Sequence, residues 1–134
     1  MKKLIPSEKI YIAESTIVPL QRGVFAKKNM KQDEIIEVCP ILEISVDDTK
    51  AIHEESLVSY LFYYGEKKDT SLIALGFGSL YNHTTNPNAI YKIEPDKKTI
   101  TFTALSDIKK DEEITVNYAP DAQKPLWFMV QEKT

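Results

Sequence analysis

The sequence predicts a mainly β fold of small sheets, with one or two short helices. Short runs rich in β-branched and aromatic residues recur along the chain, and polar or proline-containing turn signals separate them. With 134 residues, 43% hydrophobic and 28% charged, the chain can build a core and is expected to form a single domain over residues 1–134. We expect its core motifs within residues 8–118 and a docking segment, containing an apolar cluster, in residues 119–134.

Three strands and a helix are predicted in the first half. Strands are expected at residues 10–12 and 24–26, where β-branched and aromatic residues cluster. Residues 38–46 are expected to form a strand broken at Pro40, since proline cannot donate a ladder hydrogen bond. The sequence Asp-Asp-Thr at residues 47–49 is a helix-start signal.

Two hairpins are predicted in the second half. Strand-forming runs at 57–64 and 70–75 flank a polar connection, and runs at 88–94 and 99–105 flank a turn. In the last run, alternation with threonine places three apolar side chains on one face: Ile100, Phe102 and Ala104.

Residues 30–38 and 108–116 resemble each other. Both have a lysine-containing turn, then acidic residues, then a β-branched strand. Asp33 and Asp111 occupy the position where each turn needs a residue that tolerates left-handed backbone. The pattern predicts two similar turns, each leading into a small sheet.

Composition excludes several classes of function. The net charge of −3 argues against a nucleic-acid surface and is compatible with a basic peptide partner. Cys39, the single cysteine, permits no internal disulfide and no cysteine-rich zinc site, and its apolar neighbours indicate a core position. The longest apolar run is too short to cross a bilayer and no signal-peptide region is seen, so we expect a soluble intracellular protein with no membrane partner.

The stretch 74–89 is the most informative part of the chain. It begins with small apolar residues, including Gly76 and Gly78, and ends in a polar segment with a turn at 86–88. An apolar run that leads into an Asn-His pair and then a tight turn predicts a buried polar pair at a bend.

Three segments resemble motifs of the SET-domain protein lysine methyltransferases. Residues 80–89, Leu-Tyr-Asn-His-Thr-Thr-Asn-Pro-Asn-Ala, resemble the family's asparagine–histidine motif. Residues 111–118 resemble its closing strand, which ends on a tyrosine, and residues 22–26 resemble its N-terminal cofactor segment. The three occur in the family's order, which makes the resemblance specific. Many members also have zinc-binding cysteine clusters, whereas this chain has one cysteine, so it resembles a minimal SET domain of the small viral or bacterial type.

The resemblance implies a fold and an activity. The fold is β-clip-like, with small curved sheets and a C-terminal segment tucked under a loop as a pseudo-knot. The activity is transfer of a methyl group from S-adenosyl-L-methionine to the ε-amine of a protein lysine, leaving S-adenosyl-L-homocysteine, with no metal. Free lysine has a pKa near ~10.4, so a dry channel beside the sulfonium must favour the neutral amine.

The resemblance also implies site residues. The family has glycines on both sides of a variable residue in its first motif, whereas this chain has Gln21 at the first position. Taken alone, Gly23 is more often an ordinary turn glycine than one that lets backbone approach a ligand. Residues implied to hold the cofactor are Arg22, Gly23, Tyr81, Asn82, His83 and, over the adenine, Trp127 or Phe128.

Tyrosines are the implied catalytic residues. Tyr118 matches the active-site tyrosine, and Tyr60 matches a lysine-channel tyrosine for which Tyr63 and Tyr64 are close competitors. Tyr91 is placed to narrow the channel. A tyrosine ring gives an apolar wall, and its hydroxyl orients an amine without adding charge.

Two other readings stay open. The chain could be a catalytically inactive SET-like module that binds a peptide or cofactor, as the Gln21 departure suggests, or a purely structural β domain. For an active enzyme, the partner is a lysine-containing protein, for example a histone tail or another basic protein. A homodimer and a location in cytoplasm or nucleus both remain open.

Overall fold

A computed structural model of the protein describes residues 3–52, 60–64 and 70–118. Within these ranges the fold is mainly β, and no helix is long and apolar enough to cross a membrane. The strands are β1 Ile10–Glu14, β2 Arg22–Ala26, β3 Ile35–Ile44, β4 Leu61–Tyr64, β5 Thr70–Ala74, β6 Asn82–His83, β7 Ala89–Glu94, β8 Thr99–Ala104 and β9 Glu113–Val116, and the helix is α1 Val46–Ile52.

Two sheets make up the described fold. The larger has the order β4-β5-β3-β8-β7, with antiparallel neighbours throughout. The smaller has the order β1-β2-β9-β6, and β6 pairs with β9 in parallel. The predicted mainly β fold of small sheets is confirmed. The docking segment 119–134, and with it the predicted pseudo-knot, lies outside the described residues, and the single domain over 1–134 stays a prediction.

Strand β3 is continuous, and the predicted break at Pro40 is wrong. Its first half pairs with β8 as far as Pro40, and its second half pairs with β5 from Ile41 onwards. Proline is accepted here because the strand changes partners at this residue, so its missing N–H falls at the end of one ladder. The Pro40 carbonyl still accepts a hydrogen bond from the Leu75 N–H at 2.9 Å.

Both predicted hairpins are present. β4 pairs with β5 and β7 pairs with β8, although β4 begins at Leu61 and residues 57–59 and 65–69 lie outside the described ranges. The predicted apolar face of β8 is buried, as Ile100, Phe102 and Ala104 show.

Helix α1 begins slightly before the predicted start signal. The Ser45 hydroxyl accepts a hydrogen bond from the Asp48 N–H at 3.1 Å, which is the geometry of an N-cap. Thr49 is buried and its hydroxyl lies 2.7 Å from that of Ser71, so the helix is tied to β5. The acidic residues Asp47 and Asp48 occupy the first turn, where the helix dipole favours them.

The two similar turns are confirmed. Asp33 and Asp111 have φ values of 71° and 70°, the left-handed backbone that the sequence predicted. The turns also pair with each other, since Met30 and Ile108 exchange two backbone hydrogen bonds of 2.7 and 2.8 Å. This pairing brings the two turns together, and β3 then enters the larger sheet while β9 enters the smaller one.

Candidate active site

The Asn-His bend, which comprises strand β6 and the bend that follows it at residues 85–86, meets the C-terminal end of β9. β6 lies beside β9 in parallel, with Asn82 opposite Thr115 and His83 opposite Val116. Beyond β9, the Tyr118 N–H donates a hydrogen bond to His83 Nδ1 at 3.2 Å. Two segments that are remote in sequence are thus joined by backbone pairing and a side-chain hydrogen bond.

The Tyr118 side chain is held in a buried aromatic setting. It is 7% exposed, and its ring centroid lies 4.9 Å from that of Phe62 and 6.2 Å from that of His83. Its hydroxyl donates a hydrogen bond to the Tyr81 carbonyl at 2.5 Å. A phenol fixed in this way can orient a neighbouring polar group without bringing charge into the site.

A small pocket opens beside the Tyr118 ring. It contains five of the nine residues that the sequence predicted for the site, together with Gln21 at the departure from the family pattern. The residues that line it are Gln21, Arg22, Tyr60, Ser79, Leu80, Tyr81, Asn82 and Tyr118.

The candidate channel tyrosines occupy different positions. Tyr60 lines the pocket, whereas the Tyr64 hydroxyl donates to Glu43 on the outside of the sheet at 2.9 Å. Of the three competitors, Tyr60 is the one that lines this pocket together with Tyr118. Tyr91 does not line this pocket. Its hydroxyl donates a hydrogen bond to the backbone carbonyl of Tyr118 at 3.1 Å.

Gly23 does not lie in a turn: it lies in a strand, where two polar side chains approach its backbone closely. It lies within β2, opposite Ala13. A Cβ atom there would lie 2.3 Å from Glu113 Oε2 and 3.1 Å from Asn82 Nδ2. Only glycine leaves room for these polar side chains against the strand. The neighbouring Arg22 accepts a hydrogen bond from Asn82 Nδ2 on its backbone carbonyl at 2.8 Å.

Glu113 is a buried carboxylate that the sequence reasoning missed. It accepts hydrogen bonds from Asn82 Nδ2 at 3.0 Å, from the Thr16 N–H at 2.7 Å and from the Ser15 and Thr16 hydroxyls. Burial acts to raise the pKa of this carboxyl, but the hydrogen bonds from Asn82, Thr16 and Ser15 together outweigh burial and lower it. Glu113 therefore stays charged and joins the loop after β1 to the Asn-His bend. The sequence feature that could have indicated Glu113 is its position as the first residue of a strand that is otherwise β-branched.

Glu37 is a second missed carboxylate, on β3. It is buried and accepts a hydrogen bond from the Tyr81 hydroxyl at 2.8 Å. Cys39, two residues further along, is fully buried, as its predicted core position requires. Burial, with the nearby charge of Glu37, raises the pKa of the Cys39 thiol and keeps it neutral.

The predicted cover for an adenine has no structural description, and the described residues show no metal site. Trp127 and Phe128, the candidates to cover an adenine, lie outside the described residues. Among residues 3–52, 60–64 and 70–118, no three histidine, cysteine, aspartate or glutamate side chains group so as to hold a metal ion.

Comparison with known proteins identifies the family. The SET domain family model matches residues 21–119. The chain is 31% identical over 108 residues to a Schizosaccharomyces pombe histone-lysine N-methyltransferase specific for H3 lysine 37, covering 80% of this chain and 69% of that protein.

Solved structures share the fold. A crystal structure of a proposed histone methyltransferase of Plasmodium falciparum matches with a TM-score of 0.63 and 35% identity over 90% of this chain and 96% of that one. The Chaetomium thermophilum polycomb repressive complex 2, in an autoinhibited conformation bound to S-adenosylmethionine, matches with a TM-score of 0.70 and 23% identity, over 96% of this chain and 17% of that one.

The matched residues 21–119 include the Asn-His bend, strand β9 and the strand-end Tyr118, which the structure brings together. The chain belongs to the SET domain family, since the family model covers most of its length. It is an enzyme of the protein-lysine N-methyltransferase class, like the relatives it matches.

Proposed function

We propose that this protein transfers a methyl group from S-adenosyl-L-methionine to the ε-amine of a lysine in a basic protein tail, with a histone as the first candidate. The observation that carries the proposal is the junction at Tyr118. Its hydroxyl donates a hydrogen bond to Tyr81 and its backbone N–H donates one to His83, and these two residues flank Asn82.

The cofactor is proposed to lie against β2 and the Asn-His bend. The Asn82 side chain lies close to Gly23, and Arg22 and Asn82 line the same pocket. Gly23 leaves room for the Glu113 carboxylate and the Asn82 amide against β2, and so helps to position Asn82 at the pocket. His83, the backbone of Tyr81 and, at the adenine, Trp127 complete the proposed set, since the Tyr81 ring itself is buried against Phe102. The polycomb complex bound to S-adenosylmethionine is a relative in fold that uses this cofactor.

The lysine is proposed to reach the methyl group beside Tyr118 and Tyr60. Methyl transfer is an in-line displacement at carbon, so the amine nitrogen, the methyl carbon and the sulfur must align. Fixing that alignment can supply roughly 7–11 kcal/mol of the barrier reduction. Apolar tyrosine and phenylalanine rings exclude water and thereby favour the neutral amine that can attack.

The substrate class follows from charge and from a relative. The net charge of −3 suits a lysine-rich partner. The Schizosaccharomyces pombe relative acts on lysine 37 of histone H3, which makes histone tails the first substrates to test and the nucleus a candidate location.

The test uses the full chain, isotopically labelled cofactor and a panel of histone peptides. The wild-type protein is expected to label a lysine-containing peptide, and the same peptide with lysine replaced by arginine should remain unlabelled. Tyr64→Phe is a matched control, because its hydroxyl contacts Glu43 on the outside of the sheet. Labelling that is lost in Tyr118→Phe but kept in Tyr64→Phe supports the assignment.

A binding module without catalysis gives a different result. The pocket residue Gln21, where the family pattern has glycine, motivates this alternative. Cofactor binding measured by calorimetry, with no labelled lysine in any peptide or in the protein itself, would favour it. Absence of cofactor binding would contradict both functions.

A further inference from the structure

A buried carboxylate lies directly behind the proposed active site. Glu37 Oε1 accepts a hydrogen bond from the Tyr81 hydroxyl at 2.8 Å, and Oε2 accepts one from the Phe77 N–H at 3.0 Å. One side chain therefore holds both ends of the segment 77–81. Burying a carboxylate is costly unless its oxygens are satisfied, and here the segment itself supplies the donors.

The backbone of this segment is shaped around the carboxylate. Gly76 has a φ of 64°, and a Cβ atom there would lie 2.6 Å from Glu37 Oε2. Glycine is required both for the left-handed backbone and for the close approach. On the other side of the segment, a Cβ at Gly78 would lie 2.5 Å from Ala74 and 2.9 Å from the sulfur of Cys39. The loop is thus closely fitted to β3 at Glu37 and Cys39.

The held segment ends at the proposed reacting centre. The Tyr81 ring is fully buried and stacks on Phe102 with a centroid separation of 4.3 Å, while the Tyr81 carbonyl accepts the Tyr118 hydroxyl. Burial, and then the Glu37 charge, raise the pKa of Tyr81, so its phenol remains a donor to Glu37. Glu37 fixes the Tyr81 ring, and Tyr81 in turn presents the carbonyl that receives the Tyr118 hydroxyl.

We infer that Glu37 is a positioning residue for methyl transfer, which acts through Tyr81 to set the direction of the Tyr118 hydroxyl. The inference rests on the proposed function. Glu37 touches neither substrate nor cofactor in this account. Its contribution is to restrict the segment 77–81 to one arrangement, and small misplacements of a group that orients the reaction lower the rate steeply.

The test compares single-turnover rates at saturating cofactor and peptide. Glu37→Gln and Tyr81→Phe are each expected to lower the rate constant about tenfold. Tyr81→Phe removes the hydroxyl donor, whereas the glutamine amide can accept from only one of the two donors, the Tyr81 hydroxyl and the Phe77 N–H, and so frees one end of the segment. The Kd for S-adenosyl-L-methionine should stay within about twofold of wild type, since the lost interaction acts on the chemical step. Glu43→Gln is the matched control: Glu43 lies on the same strand and accepts the Tyr64 hydroxyl at 2.9 Å, but at the surface.

A second background separates positioning from general stability. In Tyr118→Phe the hydroxyl to be oriented is gone, so adding Glu37→Gln or Tyr81→Phe should change the residual rate less than about twofold. An equal fall in both backgrounds, or no fall in the wild-type background, would overturn the inference. Rates are normalised to the fraction of protein that binds cofactor, which removes the effect of any misfolded material.

The outcomes also distinguish this inference from the proposed function. If Glu37→Gln fails to fold, Tyr81→Phe decides the matter, because it keeps the ring and removes one oxygen atom. A wild-type protein that transfers no methyl group contradicts the proposed function. A wild-type protein that transfers methyl while Tyr81→Phe does so equally fast contradicts only the role of Glu37.

Discussion

The two similar turns at residues 30–38 and 108–116 share local structure and lead to opposite roles. Both place aspartate in left-handed backbone, at Asp33 and Asp111. In both, the following glutamate side chain accepts a hydrogen bond from a lysine N–H of the same turn. The first turn then leads into β3 of the larger sheet, and the second leads into β9 of the candidate site.

The strands that follow differ in what they bury. Ile35 and Glu113 occupy equivalent positions after the turn, yet Ile35 is 52% exposed and Glu113 is 7% exposed. Two residues beyond the repeat, the first copy has Pro40 and the second has Tyr118. Hydropathy would assign the isoleucine to the interior and the glutamate to the surface. The comparison teaches that the turn is set locally, while the role of the strand is set by what packs against it.

The strongest test of the comparison replaces the equivalent residues of the two copies, Pro40 within β3 and Tyr118 beyond β9. Tyr118→Phe is expected to lower methyl transfer by roughly a hundredfold or more while cofactor still binds, because the orienting hydroxyl is lost. Pro40→Ala, at the equivalent position of the first copy, should leave turnover within about twofold. Steady-state rates with labelled cofactor measure both. Comparable losses in the two variants would break the comparison.

The next largest effect concerns the buried carboxylate. Glu113→Ala leaves the donors of Ser15, Thr16 and Asn82 without their acceptor, so we expect a loss of about 3 kcal/mol in the free energy of unfolding. Ile35→Ala at the equivalent position should cost at most about 1 kcal/mol, because the side chain is half exposed. Urea unfolding followed by fluorescence measures both values. Equal losses of stability would show that burying Glu113 while exposing Ile35 has no energetic consequence.

Gly23→Ala should have an intermediate effect. Its new methyl group would collide with Glu113 Oε2, so the carboxylate must move away from Asn82. We expect a loss of about 2 kcal/mol in stability, with weaker cofactor binding. Calorimetric titration with S-adenosyl-L-homocysteine and a thermal melt test these two results, and Gly23→Ala behaving as wild type in both would contradict the close approach.

The charge of Glu113 should also make stability depend on pH. Its pKa in the folded protein lies below the ordinary 4.5, so its contribution is fully present above that value. The contribution is lost as pH falls through the lowered pKa. Glu113→Gln should therefore lose less stability than wild type between about pH 5 and pH 3. Glu14→Gln, an exposed site at the end of β1, is the control and should follow the wild-type curve.

The smallest effect tests what the two turns share. Asp33→Ala and Asp111→Ala should each cost about 1 kcal/mol, because alanine is disfavoured in left-handed backbone. The matching glycine variants should cost less than about half of that, since glycine adopts this backbone freely. Asp111 also accepts the Tyr11 hydroxyl at an exposed position, so its loss can be slightly larger. Chemical denaturation of the four variants measures these differences, and a pair that differs by several kcal/mol would show that the turns are not equivalent.

Elements with local causes could be predicted from the order of residues alone. Alternation predicted the buried face of β8, turn chemistry predicted the backbone of Asp33 and Asp111, and the order of three motifs indicated the family. The alternation, the turns and each motif taken singly depend on residues a few positions apart, so they can be recognised along the sequence.

The roles of Glu37, Glu113, Gly23 and Pro40 depend on contacts that form when the chain folds. Ser15 and Glu113 are 98 residues apart, and Glu37 and Tyr81 are 44 apart, so no local pattern shows that they bond. From the sequence alone Pro40 is expected to break the strand, and it is tolerated because β3 changes its partner strand at this residue. The physical reason is the same in each case. Whether a polar group or a missing donor is tolerated inside a protein depends on the partners that folding brings to it, and those partners lie far away in the chain.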